Sequence, residues 1–266
     1  MDDSFYNYLV EKAKSDDFLY HFTNLDSLKI ILQNSSFRLS RLDVLNDPAE
    51  AKRVEDFWYD KVYSFSFCSG NVDYEYFWNN YAKAENKGVC IVLKNFEVDD
   101  IDNIYSDSKC TNKIEKFKSR TDMSHKEYGS VNDWCVYDIS KASVLYVDNL
   151  EDYTVYESII FHNDAKNSLC PGLIKKKQGY DSNGIIQNWK RENEQRIRVA
   201  IRPKGLENRY NSKTNKFEVI KPEFSNLYFH IPCKIERIIV NPFVSQEAHN
   251  EIKKQIKFID SNINVE

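Results

Sequence analysis

The chain is poor in the residues that loosen or bend a backbone, with 7 glycines and 6 prolines among 266 residues and no stretch rich in either. That scarcity favours strands and tight packing over flexible linkers, and a single domain over residues 1–266 is expected. No apolar run approaches the roughly 18 residues that suggest a membrane-spanning helix, and no charged-then-apolar leader opens the sequence. Neither membrane insertion nor signal-peptide secretion is therefore expected. Strong basic character is lacking too: a net charge of -4 gives no global pull toward nucleic acid or an anionic membrane. The six cysteines are scattered without a CxxC pair or a Cys/His cluster, so neither a zinc site nor a disulfide framework is indicated. Free thiols suit a reducing cytoplasm. Also missing are GxGxxG behind a strand, GxxxxGKS/T, HExxH and GxSxG, which disfavours Rossmann-type dinucleotide binding, P-loop chemistry, zincin proteolysis and an α/β-hydrolase.

What is abundant is aromatic surface, 17 Tyr and 16 Phe, and this favours strands and tight packing in an α+β fold. Residues 3–14 have helical spacing, then Phe18–Phe22 reads as a strand, Leu25, Leu28, Ile31 and Leu32 as a helix capped by Asn24, and Phe37–Ser40 as a second strand. Asn46-Asp47-Pro48-Ala49-Glu50 has the form of a capping-box helix start ahead of Val54, Phe57 and Trp58. Tyr63–Cys68 alternates as a strand, Asp73 caps a helix through Tyr81, and Gly88–Leu93 is an apolar strand buried on both faces. Residues 95–130 lack a firm period and read as loop with some helix. Ser143–Val147 reads as a strand, 152–170 as a helix, and Lys175-Lys176-Lys177 as a solvated run, with a phosphate contact as the alternative. Two strands, Tyr228–Ile231 and Ile235–Val240, and a helix carrying Ile252, Ile256 and Ile259 close the chain.

The stretch that organises the rest is Trp189–Ile201. From Glu194 the even positions are mostly charged and the odd ones from Ile197 apolar, so a strand would send Glu192 and Glu194 to one face and Ile197, Val199 and Ile201 to a core. Two carboxylates so placed suit the handling of a sugar cation. They equally suit the wet face of an edge strand, with Arg196 and Arg198 neutralising them.

His21 with Thr23, Ser40, Ser64 with Ser66, and then Glu192-x-Glu194 follow one another in an order that suggests a family. With Tyr20-His21-Phe22-Thr23, Arg38-Leu39-Ser40, Asn46–Glu50, Ser64-Phe65-Ser66, Trp78 with Tyr81-Ala82, Gly88–Ile91, Trp189, Arg196 and Ile238–Pro242, the chain resembles the bacterial family known as domain of unknown function 2971. The match spans most of the chain and departs at about 95–130 and 203–225, which look like insertions, and at Asn241, where the family more often has Gly. That family is similar in turn to the ADP-ribosyltransferase superfamily, so the resemblance implies split mixed or antiparallel sheets with peripheral helices, and NAD as substrate. Carried over by position, His21 would hold a ribose hydroxyl, and Thr23, Ser40 and Ser64 or Ser66 would line the NAD site. Tyr20, Phe67 or Tyr81 would stack on a ring. Glu194 would face the developing oxocarbenium charge and Glu192 would orient or deprotonate the acceptor.

An ADP-ribosyltransferase acting on protein or nucleic acid, as a toxin or phage-defence effector, is the first reading. An inactive module binding a nucleotide or a partner, and an NAD glycohydrolase with water as acceptor, stand beside it. The acceptor and the oligomeric state are not written in the sequence.

Overall fold

The computed structural model describes residues 10–45, 61–82, 87–117, 134–148, 173–180, 186–204, 208–211, 216–219 and 222–266. The expected helix start at Asn46–Glu50, with Val54, Phe57 and Trp58, and the helix expected over 152–170 lie outside the described residues.

Of the helix expected over 3–14, residues 10–14 are helical and 3–9 lie outside the described residues. The next unit is strand, helix, strand, as the spacing predicts: β1 (Phe18–Asn24), α1 (Leu25–Asn34) and β2 (Ser36–Arg41). The Asn24 side chain accepts from Ser27 N at 2.8 Å and starts α1, whose Leu25, Leu28 and Ile31 are buried; Ser35 in the left-handed region ends it. β3 (Val62–Ser69) follows, then α2 (Tyr74–Asn80) capped by Asp73, and β4 (Gly88–Lys94). β4 is apolar from Gly88 to Leu93 because both its faces are covered there. Val89, Ile91 and Leu93 join the main core, while Cys90 and Val92 join a second core with Phe22, Phe77 and Trp78. Gly88 is required by contact, since a Cβ there would stand 1.9 Å from the Ala82 carbonyl oxygen.

Of the loop with some helix expected over 95–130, the 3-10 turn Val98–Asp100 agrees, residues 118–130 lie outside the described residues, and residues 101–117 differ. They give β5 (Ile104–Tyr105) and β6 (Lys113–Lys116), too short to show a period but anchored by buried Ile104 and Ile114. The strand expected at Ser143–Val147 is the junction of a longer β7 (Trp134–Ser143) with β8 (Leu145–Val147). β8 pairs in parallel with β9 (Ile174–Lys176), and β10 (Gly179–Tyr180) with β11 (Ile186–Gln187) makes a small antiparallel pair. Next come β12 (Glu194–Pro203), the pair β13 (Asn208–Asn211) and β14 (Lys216–Val219), then β15 (Asn226–His230), β16 (Ile235–Val240) and α3 (Gln246–Ile259). The whole is one α+β domain, mostly strands with few helices.

Its main sheet runs β12-β7-β6-β5-β15-β2-β3-β1-β4-β16, and β12 pairs again with β3. Seven strands from β12 round to β3 therefore close on themselves into a barrel-like wall, and β1, β4 and β16 extend from β3 as a wing. Phe65 and Phe67, Ile197, Val199 and Ile201, and Leu227 and Phe229 share the enclosed apolar core. β3 is the junction. One edge pairs along its length with β12, from Glu194↔Cys68 to Ala200↔Val62. Its other edge is shared: Ser40↔Ser64 and Arg41↔Tyr63 belong to β2, whereas Tyr20↔Cys68 and Leu19↔Ser69 belong to β1. Between them β1 and β2 diverge and leave residues 65–67 with no strand partner on that side, which opens a slot in the sheet.

Candidate functional site

The slot is the floor of a cavity of about 470 Å³, lined by His21, Thr23, Ser40, Ser64, Ser66, Tyr81, Glu192 and Glu194, together with Arg38, Lys175 and Arg196. The first eight were singled out in the sequence, and the other two ring candidates, Tyr20 and Phe67, line the same cavity. They arrive from both faces of the sheet. Glu194↔Cys68, Arg196↔Ser66 and Tyr20↔Cys68 are register pairs on one face, while His21, one residue on from Tyr20, starts from the opposite face, its ring 4.5 Å from that of Phe65. The divergence of β1 and β2 lets it reach the cavity all the same.

His21 occupies the slot and bonds what the missing strand leaves bare, with Nδ1 3.1 Å from the Ser66 carbonyl oxygen. A carbonyl only accepts, so Nδ1 carries the proton and Nε2 of the neutral ring is an acceptor. Burial lowers the imidazole to about 4, against the backbone bond to Ser66, and Arg38 nearby lowers it further.

Glu194 opens β12. Its N–H donates to Tyr146 Oη at 3.1 Å, and its carbonyl accepts from Val144 N at 2.8 Å. Its carboxylate takes a two-point bond from Arg196, Nε to Oε1 at 2.6 Å and a terminal nitrogen to Oε2 at 3.1 Å. Burial resists ionisation there, but Arg196 and Lys175 overcome it and, with the Ser66 hydroxyl, hold the carboxyl down at about 2. β12 is thus no edge strand. It lies between β3 and β7, and Glu194, Arg196 and Arg198 are all buried.

Glu192 is not on the strand, which corrects the expectation that a shared period aims both carboxylates. Trp189–Glu192 forms a 3-10 turn, and Asn193 follows in the left-handed region at φ 40 before β12 begins. The carboxylates converge by other means. Lys175 Nζ lies 2.7 Å from Glu192 Oε2 and 3.5 Å from Glu194 Oε2, with the Trp189 ring centroid 4.2 Å away. Tyr81, just past α2, donates its hydroxyl to Glu192 Oε1. Burial lifts the Glu192 carboxyl to about 7, Lys175 holds it back from rising further, and the Glu194 charge adds to the lift. The same burial and the Glu192 charge push the Tyr81 phenol far above its ordinary range.

Lys175 corrects the reading of residues 175–177 as a solvated run, since its side chain is 5% exposed and ion-paired. No local signal distinguishes it from Lys176 and Lys177. Arg38 was visible only as the first residue of a strand motif, and here it stands at the cavity wall. Among the described residues no group of His, Cys, Asp and Glu could hold a metal ion, and no helix is long and apolar enough to cross a membrane. No family model, no curated protein and no solved structure matches the chain.

Proposed function

We propose that the chain is an NAD-dependent ADP-ribosyltransferase, with the cavity at the split of β1 and β2 as its NAD site. One observation carries the reading: His21, Thr23, Ser40, Ser64, Ser66, Tyr81, Glu192 and Glu194, which the resemblance to the domain of unknown function 2971 family and the ADP-ribosyltransferase superfamily selects and which come from five separate stretches of chain, line one cavity. The divergence of β1 from β2 is consistent with the split sheets expected of that superfamily, and about 470 Å³ is within the usual range for small-molecule sites.

The chemistry follows from the protonation states. The bond from the ribose carbon to nicotinamide breaks with its electron pair leaving on nicotinamide, and positive charge develops on the ribose. Glu194, held ionised, faces that charge and accepts from a ribose hydroxyl through lone pairs left over from Arg196. His21 accepts from a second hydroxyl at Nε2, a role its Nδ1 bond to Ser66 fixes. Glu192, with a carboxyl near 7, takes the proton of the incoming nucleophile, whether a protein or nucleic-acid group or water.

The two-point bond from Arg196 to Glu194 favours a second reading, a nucleotide-binding module without turnover, because it already neutralises the charge that catalysis would use. Mixing the purified chain with NAD and candidate protein, nucleic-acid or no acceptors separates the readings. Nicotinamide released with ADP-ribose attached to an acceptor supports transfer, and release into water supports a glycohydrolase. NAD bound without release supports the silent module, and absence of NAD binding overturns the site.

A further inference from the structure

The cavity has two chemically different ends. At the inner end two cations, Lys175 and Arg196, face two carboxylates, Glu192 and Glu194. Among the described residues those are the acidic groups of the lining, and His21 is held neutral, so Arg38 is the surplus charge of the described lining, within an acidic chain. Arg38 is exposed, and among the described residues it has no ion-pair partner.

The wall beside it contains a second group that lacks a partner. Ser64 is 3% exposed, lines the cavity, and its hydroxyl makes no hydrogen bond among the described residues. A buried donor without a partner is rare and costs about 1–3 kcal/mol, so a hydroxyl left this way in a cavity wall marks a place where a ligand acceptor belongs. The strand register places the two groups together. Ser40 and Ser64 are direct partners across β2 and β3, and Arg38 precedes Ser40 by two residues on the same face, about 7 Å along the strand. An extended guanidinium covers that span. Beyond Ser64 the two strands part, so the face between Arg38 and Ser64 opens directly into the slot.

From this geometry we infer that the Arg38–Ser40–Ser64 wall is a phosphate subsite, which makes the ligand a phosphorylated or pyrophosphate-bearing molecule. Arg38 supplies a planar, permanently charged fork matched to phosphate oxygens, and the two hydroxyls supply neutral donors from the adjoining strands. Among the described residues no carboxylate stands on that wall to repel the anion. The inference deepens the nucleotide reading of the cavity but does not depend on turnover.

Its test is binding alone, with the full chain and three probes: inorganic pyrophosphate, ADP and adenosine, measured by titration calorimetry. Wild type is expected to bind ADP and pyrophosphate. Arg38→Gln should weaken both by about tenfold or more and lower their salt dependence, and leave adenosine binding unchanged. Ser64→Ala should weaken ADP several-fold while its thermal midpoint stays equal or rises, because the change removes an unbonded hydroxyl. No pyrophosphate or ADP binding by wild type, equal ADP affinity in all three proteins, or a parallel loss of adenosine in Arg38→Gln would each overturn the subsite. ADP binding lost in Arg38→Gln, alongside no nicotinamide release by wild type, would uphold the subsite and reject only the transferase.

Discussion

Lys175 Nζ lies 2.7 Å from Glu192 Oε2, and the same ammonium is 3.5 Å from Glu194 Oε2, so one buried cation joins two carboxylates that the local backbone does not align. Replacing it with Met leaves both carboxylates facing each other in low dielectric. The loss of one partner from a buried ion pair costs about 3–5 kcal/mol, and protonation of Glu192 limits that cost. Lys175→Met is therefore expected to lose about 3 kcal/mol at pH 8 and clearly less at pH 6, read as urea midpoints. An equal loss at both values would mean that Glu192 does not take up the proton.

The two glutamates should separate by substitution. Glu194→Gln removes the charge that faces the developing cation, and a loss of nicotinamide release of about 10²- to 10³-fold is expected well below the melting temperature. It also takes the counter-charge from buried Arg196, at about 3 kcal/mol of stability. Glu192→Gln should depress transfer to an acceptor more than hydrolysis. Wild-type turnover in both variants would reduce the pair to a structural ion cluster.

Transfer should also follow the ionisation of Glu192. A base with a carboxyl near 7 is protonated and inactive below that value, so the transfer rate is expected to rise with pH through about 7 and level off above it. In Glu192→Gln the residual rate should be flat across that range. A sloping profile in the variant would assign the base elsewhere.

Stability carries the mark of His21. Its imidazole is held at about 4 in the folded chain against about 6.5 unfolded, so between those values the unfolded chain takes up a proton that the folded one refuses. The His21 contribution is complete above about 6.5 and is lost as the pH falls toward about 4. Glu192 has the opposite sign, contributing fully below the unfolded carboxyl value of about 4.3 and losing it as the pH rises through about 7. Comparing urea midpoints at pH 6.5 and 4.5, wild type should lose more stability than His21→Asn. Equal losses would show that the ring is not held neutral by burial.

Asn193 turns the chain from the 3-10 turn into β12 at φ 40, and its side-chain amide donates to the Ser69 carbonyl. Asn193→Gly keeps the backbone and forfeits that bond, at about 1 kcal/mol; Asn193→Val adds left-handed strain, for about 3 kcal/mol in all. The measure is again the urea midpoint. A Val variant as stable as Gly would show that the turn does not depend on the left-handed residue.

Much of the chain was legible because its signals are local. Asn24 and Asp73 cap the helices their positions predict, and Gly88–Leu93 is continuously apolar because β4 is covered on both faces. Ile197, Val199 and Ile201 reach the core that their alternation points to, since a period of two commits one face to an apolar environment whatever the pairing. β5 and β6 left no such trace, because two and four residues acquire a conformation only from distant partners. The charged face of β12 was legible as charged and no further. Whether it meets water depends on β7 and β3 on either side and on Lys175 and Trp189 near its start, all remote or differently patterned in sequence. The same holds for Lys175 beside Lys176 and Lys177, identical in type and different only in what surrounds them. Local pattern sets which side a residue prefers; burial of charge and its protonation state are set by the groups that tertiary structure brings within a few ångströms, because ion pairing and desolvation act through space and not along the chain.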